Sequence, residues 1–278
     1  MRWHTLLMLA GSILGASPLQ AAERNDLPSC YDYAKLSQAR PAGSGRELVV
    51  IVDKTVQLPK DLQTSAYNHA LRYLKPGDSV RMYQFSAYLA GNYMTLMYSG
   101  QLESPLEEKA RGDIGMDSLR RLDTCLTKQR SFFQKALGIK FVESFAQPGQ
   151  DIAKSEIFFS LKQIGEDISK RPAEQKVVLL ISDMLENSAT SSFYSNNQMR
   201  GIDPAVEMKK IEQHQLFADL GGARVYVMGA GLVPGTLKNG YRAGTAVQQL
   251  EAFWRDYLAR SHANLISFGA PSLTIDLE

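Results

Sequence analysis

Two aspartates follow directly after strongly apolar segments of the chain. Asp53 comes after the run LVVIV at 48–52, and Asp183 comes after VVLLIS at 177–182. A buried carboxylate without a partner is energetically costly, so each aspartate must either cap a following helix or turn or bind a cation. Because such strand ends meet at one edge of a parallel sheet, we expect Asp53 and Asp183 to share a cation.

Three further side chains add oxygen atoms to this pair. Thr55 lies two residues beyond Asp53, so its hydroxyl can point the same way as the carboxylate. Gln57 lies two residues further on, and Ser155 stands at the start of a helical pattern, where its alternative role is an ordinary N-cap. Oxygen ligands suit a hard cation such as Mg²⁺ rather than zinc. The predicted metal site is therefore Asp53, Thr55, Gln57, Ser155 and Asp183.

Strands and helices alternate along most of the chain. Continuous β-branched runs such as 47–53 are typical of strands buried on both faces of a parallel sheet. Only about five residues join the second and third strands, too few for a parallel crossover, so this pair must be an antiparallel hairpin. The predicted strands are 47–53, 78–87, 93–102, 176–183, 224–231 and 264–268, and the predicted helices include 60–74 and 155–169. This order predicts an α/β, Rossmann-like, doubly wound and mostly parallel sheet of about six strands with one antiparallel strand.

The segment around 103–150 interrupts this alternation. It is long and irregular and contains one helical pattern, which begins at an Asp117 cap and ends near Gly138. Apolar residues share one face of that helix: Leu119, Leu122, Leu126, Phe133 and Leu137. We therefore expect a single domain over 47–278 that contains this inserted helical segment, preceded by an N-terminal arm at 22–46.

The first residues have the three-part pattern of a secretory signal peptide. A weakly basic start precedes an apolar run at 5–14, and small residues follow up to Ala21 and Ala22. A membrane anchor is the alternative, but the apolar run is too short for one. We predict a signal peptide at 1–21, no stable membrane span after its cleavage, and a periplasmic or secreted protein.

Cys30 and Cys125 are the two cysteines of the chain. In an oxidising compartment they allow a single disulfide, with two buried free thiols as the alternative. Export favours the disulfide, which would tie the N-terminal arm to the inserted helix. The formal net charge of +2 gives no sign of the basic surface that nucleic-acid binding requires.

Four segments together resemble the von Willebrand factor A family. DKTVQ at 53–57 is similar to the Asp-x-Ser/Thr-x-Ser opening of that family's metal-ion-dependent adhesion site, and LKPGDSVRMYQFS at 74–86 is similar to its second strand. Residues 155–161 resemble its threonine loop and the helix that follows. Residues 178–183 resemble the strand that ends in the last aspartate of the family's site.

The resemblance covers residues 47 to 270 in the right order, but its metal site is degenerate. Gln57 stands where the family has a small hydroxyl residue, Ser155 replaces a threonine, and Lys54 adds a positive charge. The resemblance implies a binding module rather than an enzyme. It also implies that an acidic group of a protein partner in the cell envelope completes the shell of a bound Mg²⁺.

A Mg²⁺-dependent phosphatase of the haloacid dehalogenase type is the alternative. Asp53 would be its nucleophile and Asp183 a metal ligand. That family has a second aspartate two residues beyond the first, where this chain has Thr55. The chain also lacks the Gly-x-Ser-x-Gly elbow of a serine hydrolase, so we predict no catalytic residue.

Overall fold

A six-stranded sheet forms the centre of the computed structural model, which describes residues 24–86, 94–145, 155–195, 198–232 and 244–278. Its strands are β1 Arg46–Asp53, β2 Ser79–Phe85, β3 Met94–Gln101, β4 Gln175–Ile181, β7 Ala223–Met228 and β8 Ala263–Gly269, and a small hairpin holds β5 Tyr194–Ser195 and β6 Gln198–Met199. The strand order is β3-β2-β1-β4-β7-β8. β2 and β3 pair antiparallel and the other neighbours pair in parallel. The predicted Rossmann-like α/β fold is confirmed, including the antiparallel pairing of β2 and β3 within the six-stranded sheet.

Helices cover both faces of this sheet. They are α1 Cys30–Tyr33, α2 Lys60–Tyr73, α3 Glu108–Arg111, α4 Met116–Ser144, α5 Ile157–Ile168, α6 Pro204–Gln213 and α7 Gly244–Arg260. Val49 and Ile51 of β1 face the core shared with α5 and α7, whereas Leu48, Val50 and Val52 face the core shared with α2 and α4. Both sides of β1 are therefore buried, which explains its unbroken apolar sequence.

The strand order reverses between β1 and β4, the two central strands. The chain proceeds from β1 outward to β2 and β3, and then returns to the other side of β1 to form β4, β7 and β8. Val52 pairs with Ile181, so Asp53 and the residues that follow β4 lie at the same edge. β4 is shorter than predicted, and Asp183 follows two residues after its end. The predicted proximity of Asp53 and Asp183 is thereby explained.

The helix of the inserted segment differs from the prediction at both ends. α4 starts at Met116 with Gly115 at the N-cap position, so Asp117 lies within the first turn and is not the cap. The predicted end near Gly138 is also wrong, because the helix continues to Ser144. Leu137 and Phe141 are buried on the same side of the helix, and this packing carries α4 through the glycine.

The N-terminal arm is folded against α4. A disulfide joins Cys30 to Cys125, as predicted. Tyr31 of α1 is buried in a small cluster with Leu119 and Leu122 of α4. The predicted signal peptide at 1–21 lies outside the described residues, as do residues 87 and 93 of the predicted hairpin. Within the described ranges, no helix is long and apolar enough to cross a membrane.

Candidate functional site at the carboxyl edge of the sheet

Asp53 is the buried centre of a hydroxyl-rich network and is 1% exposed. Its Oδ1 accepts hydrogen bonds from the Thr55 backbone N–H at 3.0 Å and from the Thr55 hydroxyl at 2.6 Å. Its Oδ2 accepts from the hydroxyls of Ser155 at 3.0 Å and Ser182 at 2.8 Å. Burial raises the pKa of Asp53, although these hydrogen bonds oppose the shift. Hydroxyl donors from three separate segments therefore surround the carboxyl.

Asp183 is also buried, and it is close enough to Asp53 for the two charges to interact. Its Oδ1 accepts from the Leu185 N–H at 2.9 Å, and its Oδ2 accepts from the Tyr194 hydroxyl at 2.7 Å. Burial, and then the negative charge of Asp53, raise the pKa of Asp183 to about 8. The folded protein therefore favours the protonated form of Asp183 more than water does. A cation between the two carboxyls would shift both towards the ionised form.

The turn after β4 is held by contacts on three sides. Met184 has a φ of 62°, in the left-handed region that a non-glycine residue rarely adopts. The Ser182 hydroxyl accepts from its N–H at 3.0 Å, and Trp254 of α7 donates its indole N–H to the Met184 carbonyl at 2.8 Å. The Asp183 carbonyl accepts from Gly231 at 2.9 Å. These contacts fix the direction in which Asp183 points.

The N-terminus of α5 is capped from a distant part of the chain. Glu186 is 1% exposed, and its Oε2 accepts from the N–H groups of Ile157 at 2.7 Å and Phe158 at 3.2 Å. Burial raises the pKa of Glu186 to about 8. Glu156 occupies the N-cap position of α5, so Ser155 does not have its alternative role as the N-cap. Instead it forms a β-bridge with Asn187 and donates its hydroxyl to Asp53.

Four of the five predicted ligands lie in or beside this network. Thr55 and Ser155 contact Asp53 directly, and Asp183 is close enough for its pKa to respond to the charge of Asp53. The Gln57 side chain is exposed and forms no hydrogen bond with any other described residue. Its predicted role as a ligand therefore gains no support from its surroundings.

Sequence reasoning missed Ser182 and Tyr194 as members of the network. The sequence position of Ser182 could have predicted its role. Ser182 directly precedes Asp183 at the end of β4, where its hydroxyl can reach Asp53 at the end of the neighbouring strand β1. Tyr194 carries no such signal. It is 11 residues beyond Asp183 along the chain, outside any strand or helix pattern that we predict, and its phenol contacts Asp183 only in the folded protein.

The donor set constrains what the site can bind. Within the part of the chain that the structure describes, no three His, Cys, Asp or Glu side chains form a group suited to a metal ion. A cation here would rely on two carboxylates, hydroxyl oxygens and water. Such a set suits Mg²⁺ and excludes the nitrogen- and sulfur-rich coordination that zinc prefers.

Comparison with known proteins finds no matching family model and no matching curated protein. A solved aerotolerance-related membrane protein from Bacteroides fragilis is 11% identical at a TM-score of 0.32, with 80% of this chain and 90% of that chain covered. The PilB minor pilin from Streptococcus sanguinis is 13% identical at 0.36, with 80% and 56% covered. The SpaC pilus adhesin from Lactobacillus rhamnosus GG is 11% identical at 0.33, with 82% and 28% covered. These similarities are too low to carry an argument about function.

Proposed function

We propose that this chain is an exported protein-binding module of the von Willebrand factor A type, which engages its partner at the carboxyl edge of the sheet. The observation that carries the proposal is the position of Asp53 and Asp183 on either side of the switch between β1 and β4. Ligands of open α/β sheets bind at this point. Thr55 and Ser155 hold the same positions in the chain as hydroxyl residues of the resembled motif, and both contact Asp53.

We further propose that the site binds Mg²⁺ and that an acidic group of the partner completes its shell. Asp53, Thr55, Ser155 and Asp183 would surround the ion, with Gln57 acting through water. A hydroxyl that donates to a carboxylate keeps lone pairs for a cation, so Thr55 and Ser155 can contact the ion while Asp53, whose oxygens already accept four hydrogen bonds, holds these hydroxyls in place. The Tyr194 phenol competes with the ion, because it already occupies one oxygen of Asp183.

The geometry favours binding over the phosphatase alternative. A nucleophilic aspartate needs an accessible oxygen, whereas Asp53 is 1% exposed and both of its oxygens accept hydrogen bonds. The Thr55 hydroxyl donates to Asp53 itself and is no substitute for the carboxylic general acid of that family. A phosphatase assay with Mg²⁺ tests this alternative directly, and we expect no turnover.

The disulfide supports the export proposal. Cys30 and Cys125 are separated by 95 residues and form a bond that persists in oxidising compartments. N-terminal sequencing of the exported protein should find a new terminus after Ala21 or Ala22. A terminus at Met1, or protein confined to the cytoplasm, contradicts this part of the proposal.

Partner capture from an envelope extract tests the proposed binding face. The immobilised wild-type protein should retain a partner in Mg²⁺ and release it with a chelator. The double variant Asp53→Asn/Asp183→Asn should retain no partner. The control variant Asp113→Asn changes an exposed aspartate that is not part of the proposed site, and it should behave as the wild type. Equal retention by all three proteins would place the binding surface elsewhere.

A further inference from the structure

A groove separate from the sheet edge lies between α1 and α4. Its cavity volume is about 480 Å³, and we name it the α1–α4 groove. The residues that matter for its chemistry are Pro28, Tyr33, Arg120, Arg121, Lys128 and Phe132. Cavities of this size lie within the range that accommodates small ligands or one or two side chains of a partner.

Two aromatic side chains give the groove an exposed apolar surface. Phe132 is 51% exposed, whereas the next residue, Phe133, is 2% exposed in the core under α4. Tyr33 of α1 is 65% exposed. Exposed aromatic residues within a concavity are typical of the central anchors of protein interfaces. The groove therefore exposes apolar surface that an apolar side chain of a partner could cover.

Basic side chains surround this apolar surface. Arg120, Arg121 and Lys128 line the groove, and no acidic side chain does. Lys128 has no hydrogen-bond or ion-pair partner among the described residues. Arg120 contacts Asp117 at 2.8 Å, but both side chains are about 80% exposed, and such pairs contribute little.

The basic character extends along the helix. α4 carries Arg120, Arg121, Lys128, Arg130, Lys135 and Lys140 against Asp117, Asp123 and Glu143, whereas the whole chain is nearly balanced. Nearby acidic groups are already engaged. Arg40 contacts Asp32 at 2.6 Å and Glu103 at 3.2 Å, and Arg111 contacts Asp123 at 2.7 Å. The groove therefore presents net positive charge to a partner.

The groove is also preorganised. The disulfide between Cys30 and Cys125 joins its two walls. Glu103 accepts from the Cys30 N–H at 2.7 Å, and the Gln129 side chain donates to the Pro28 carbonyl at 2.9 Å. A surface that is already ordered loses little conformational entropy when a partner binds.

We propose that the α1–α4 groove is a second interaction surface, which binds an acidic peptide segment through one large apolar side chain. The apolar anchor would pack against Tyr33 and Phe132, and flanking carboxylates would face Arg121 and Lys128. The basic side chains of the groove favour an acidic peptide over a neutral one, because opposite charges across an interface attract. This surface is independent of Asp53 and Asp183, so its binding does not depend on Mg²⁺.

Fluorescence anisotropy with three labelled peptides tests the groove. The probe GDEDFSDEDG carries both features, GDEDGSDEDG lacks the apolar anchor, and GNQNFSNQNG lacks the charges. We expect the full-length protein to bind the first peptide about tenfold more tightly than either control, with affinity that falls at high salt and is unchanged by a chelator. Equal binding of the uncharged peptide, or no binding of the first, overturns the proposal.

Matched variants locate the binding on the protein. Arg121→Glu/Lys128→Glu should weaken binding of the first peptide about tenfold, whereas Arg130→Glu, a reversal on the same helix outside the groove, should not. Phe132→Ser should also weaken it, and Val142→Ser, which changes another exposed apolar residue of α4, should not. Circular dichroism confirms that each variant folds.

Two other occupants are outcomes that would overturn the proposal. Self-association that Phe132→Ser abolishes, measured by sedimentation, would make a second copy of the chain the occupant. Binding to phosphatidylglycerol vesicles but to none of the peptides would make the groove a lipid-binding surface. Loss of peptide binding in Asp53→Asn, with the groove unchanged, would instead assign the binding to the sheet edge.

Discussion

The phenol of Tyr194 donates a 2.7 Å hydrogen bond to Oδ2 of Asp183. This contact links the small hairpin of β5 and β6 to the edge of the main sheet. It gives one carboxyl oxygen of Asp183 a neutral hydrogen-bond donor. The same hydroxyl stabilises Asp183, and at the proposed metal site it would compete with the ion for this oxygen.

We predict that Tyr194→Phe destabilises the metal-free protein and tightens Mg²⁺ binding. Loss of the hydroxyl leaves one buried oxygen of Asp183 without this donor, which costs about 1–3 kcal/mol. Urea unfolding in a chelator measures the first effect and Mg²⁺ titration the second. Tyr33→Phe, at an exposed tyrosine, is the control. A variant with unchanged stability would mean that the hydrogen bond contributes nothing.

We predict that millimolar Mg²⁺ raises the melting temperature of the wild-type protein but not of Asp53→Ala or Asp183→Ala. An ion bound only by the native state stabilises it by about 2.7 kcal/mol at a hundred times its dissociation constant. Differential scanning calorimetry with Mg²⁺ and with chelator measures the shift. The control Asp113→Ala should shift like the wild type. If the wild type does not shift, the site acts without metal, and if both variants still shift, the ion binds elsewhere.

We predict that the protein loses stability as the pH rises through the neutral range. The pKa of Glu186 is about 8 in the fold against a usual 4.5, so the folded protein binds this proton more tightly than the unfolded chain does. The stabilisation is fully present below a pH of 4.5 and is lost as the pH rises towards 8. Asp183 and Glu47, whose pKa values burial also raises, act in the same direction.

Glu186→Gln should reduce this pH dependence. The free energy of unfolding, measured by urea denaturation at several values from pH 5 to pH 8, should fall less steeply in the variant than in the wild type. Some slope should remain, because Asp183 and Glu47 still titrate. Glu108→Gln removes an exposed carboxylate and should leave the slope unchanged. A parallel curve for Glu186→Gln would show that Glu186 does not titrate in this range.

The position of the site follows from the sequence because it depends on two simple patterns. These are the apolar runs of the central strands and the spacing of polar residues directly after them. Apolar runs define β1 and β4, and parallel pairing brings their ends together, so Asp53 and Asp183 could be placed at one edge. The i, i+2 spacing placed the Thr55 hydroxyl on Asp53. The pairing of β1 with β4 links distant segments, but the fold class predicts it, because the carboxyl ends of parallel strands lie on one side of a doubly wound sheet.

The parts of the site that the sequence does not predict depend on tertiary contacts. Glu186 takes the capping role at α5 from a position 29 residues beyond Ile157, which frees Ser155 to contact Asp53. Tyr194 contacts Asp183 across a turn in which the Met184 carbonyl accepts a hydrogen bond from the indole of Trp254. Neither contact leaves a periodic or compositional pattern.

We predict that Cys30→Ser/Cys125→Ser lowers the stability of the protein and releases the N-terminal arm. The chain-entropy model gives about 4–5 kcal/mol for a closed loop of this length, as an upper value. Without the disulfide, a small apolar cluster and hydrogen bonds such as that from the Cys30 N–H to Glu103 still hold α1. These contacts constrain α1 only weakly, because a helix of this length is not stable by itself. Limited proteolysis should therefore cleave the variant between 24 and 45 before its core unfolds, and urea denaturation should show the loss of stability. Arg130→Ser, at an exposed position of α4 away from the disulfide, is the control. An arm that stays as protease-resistant as in the wild type would mean that packing, not the disulfide, holds it in place.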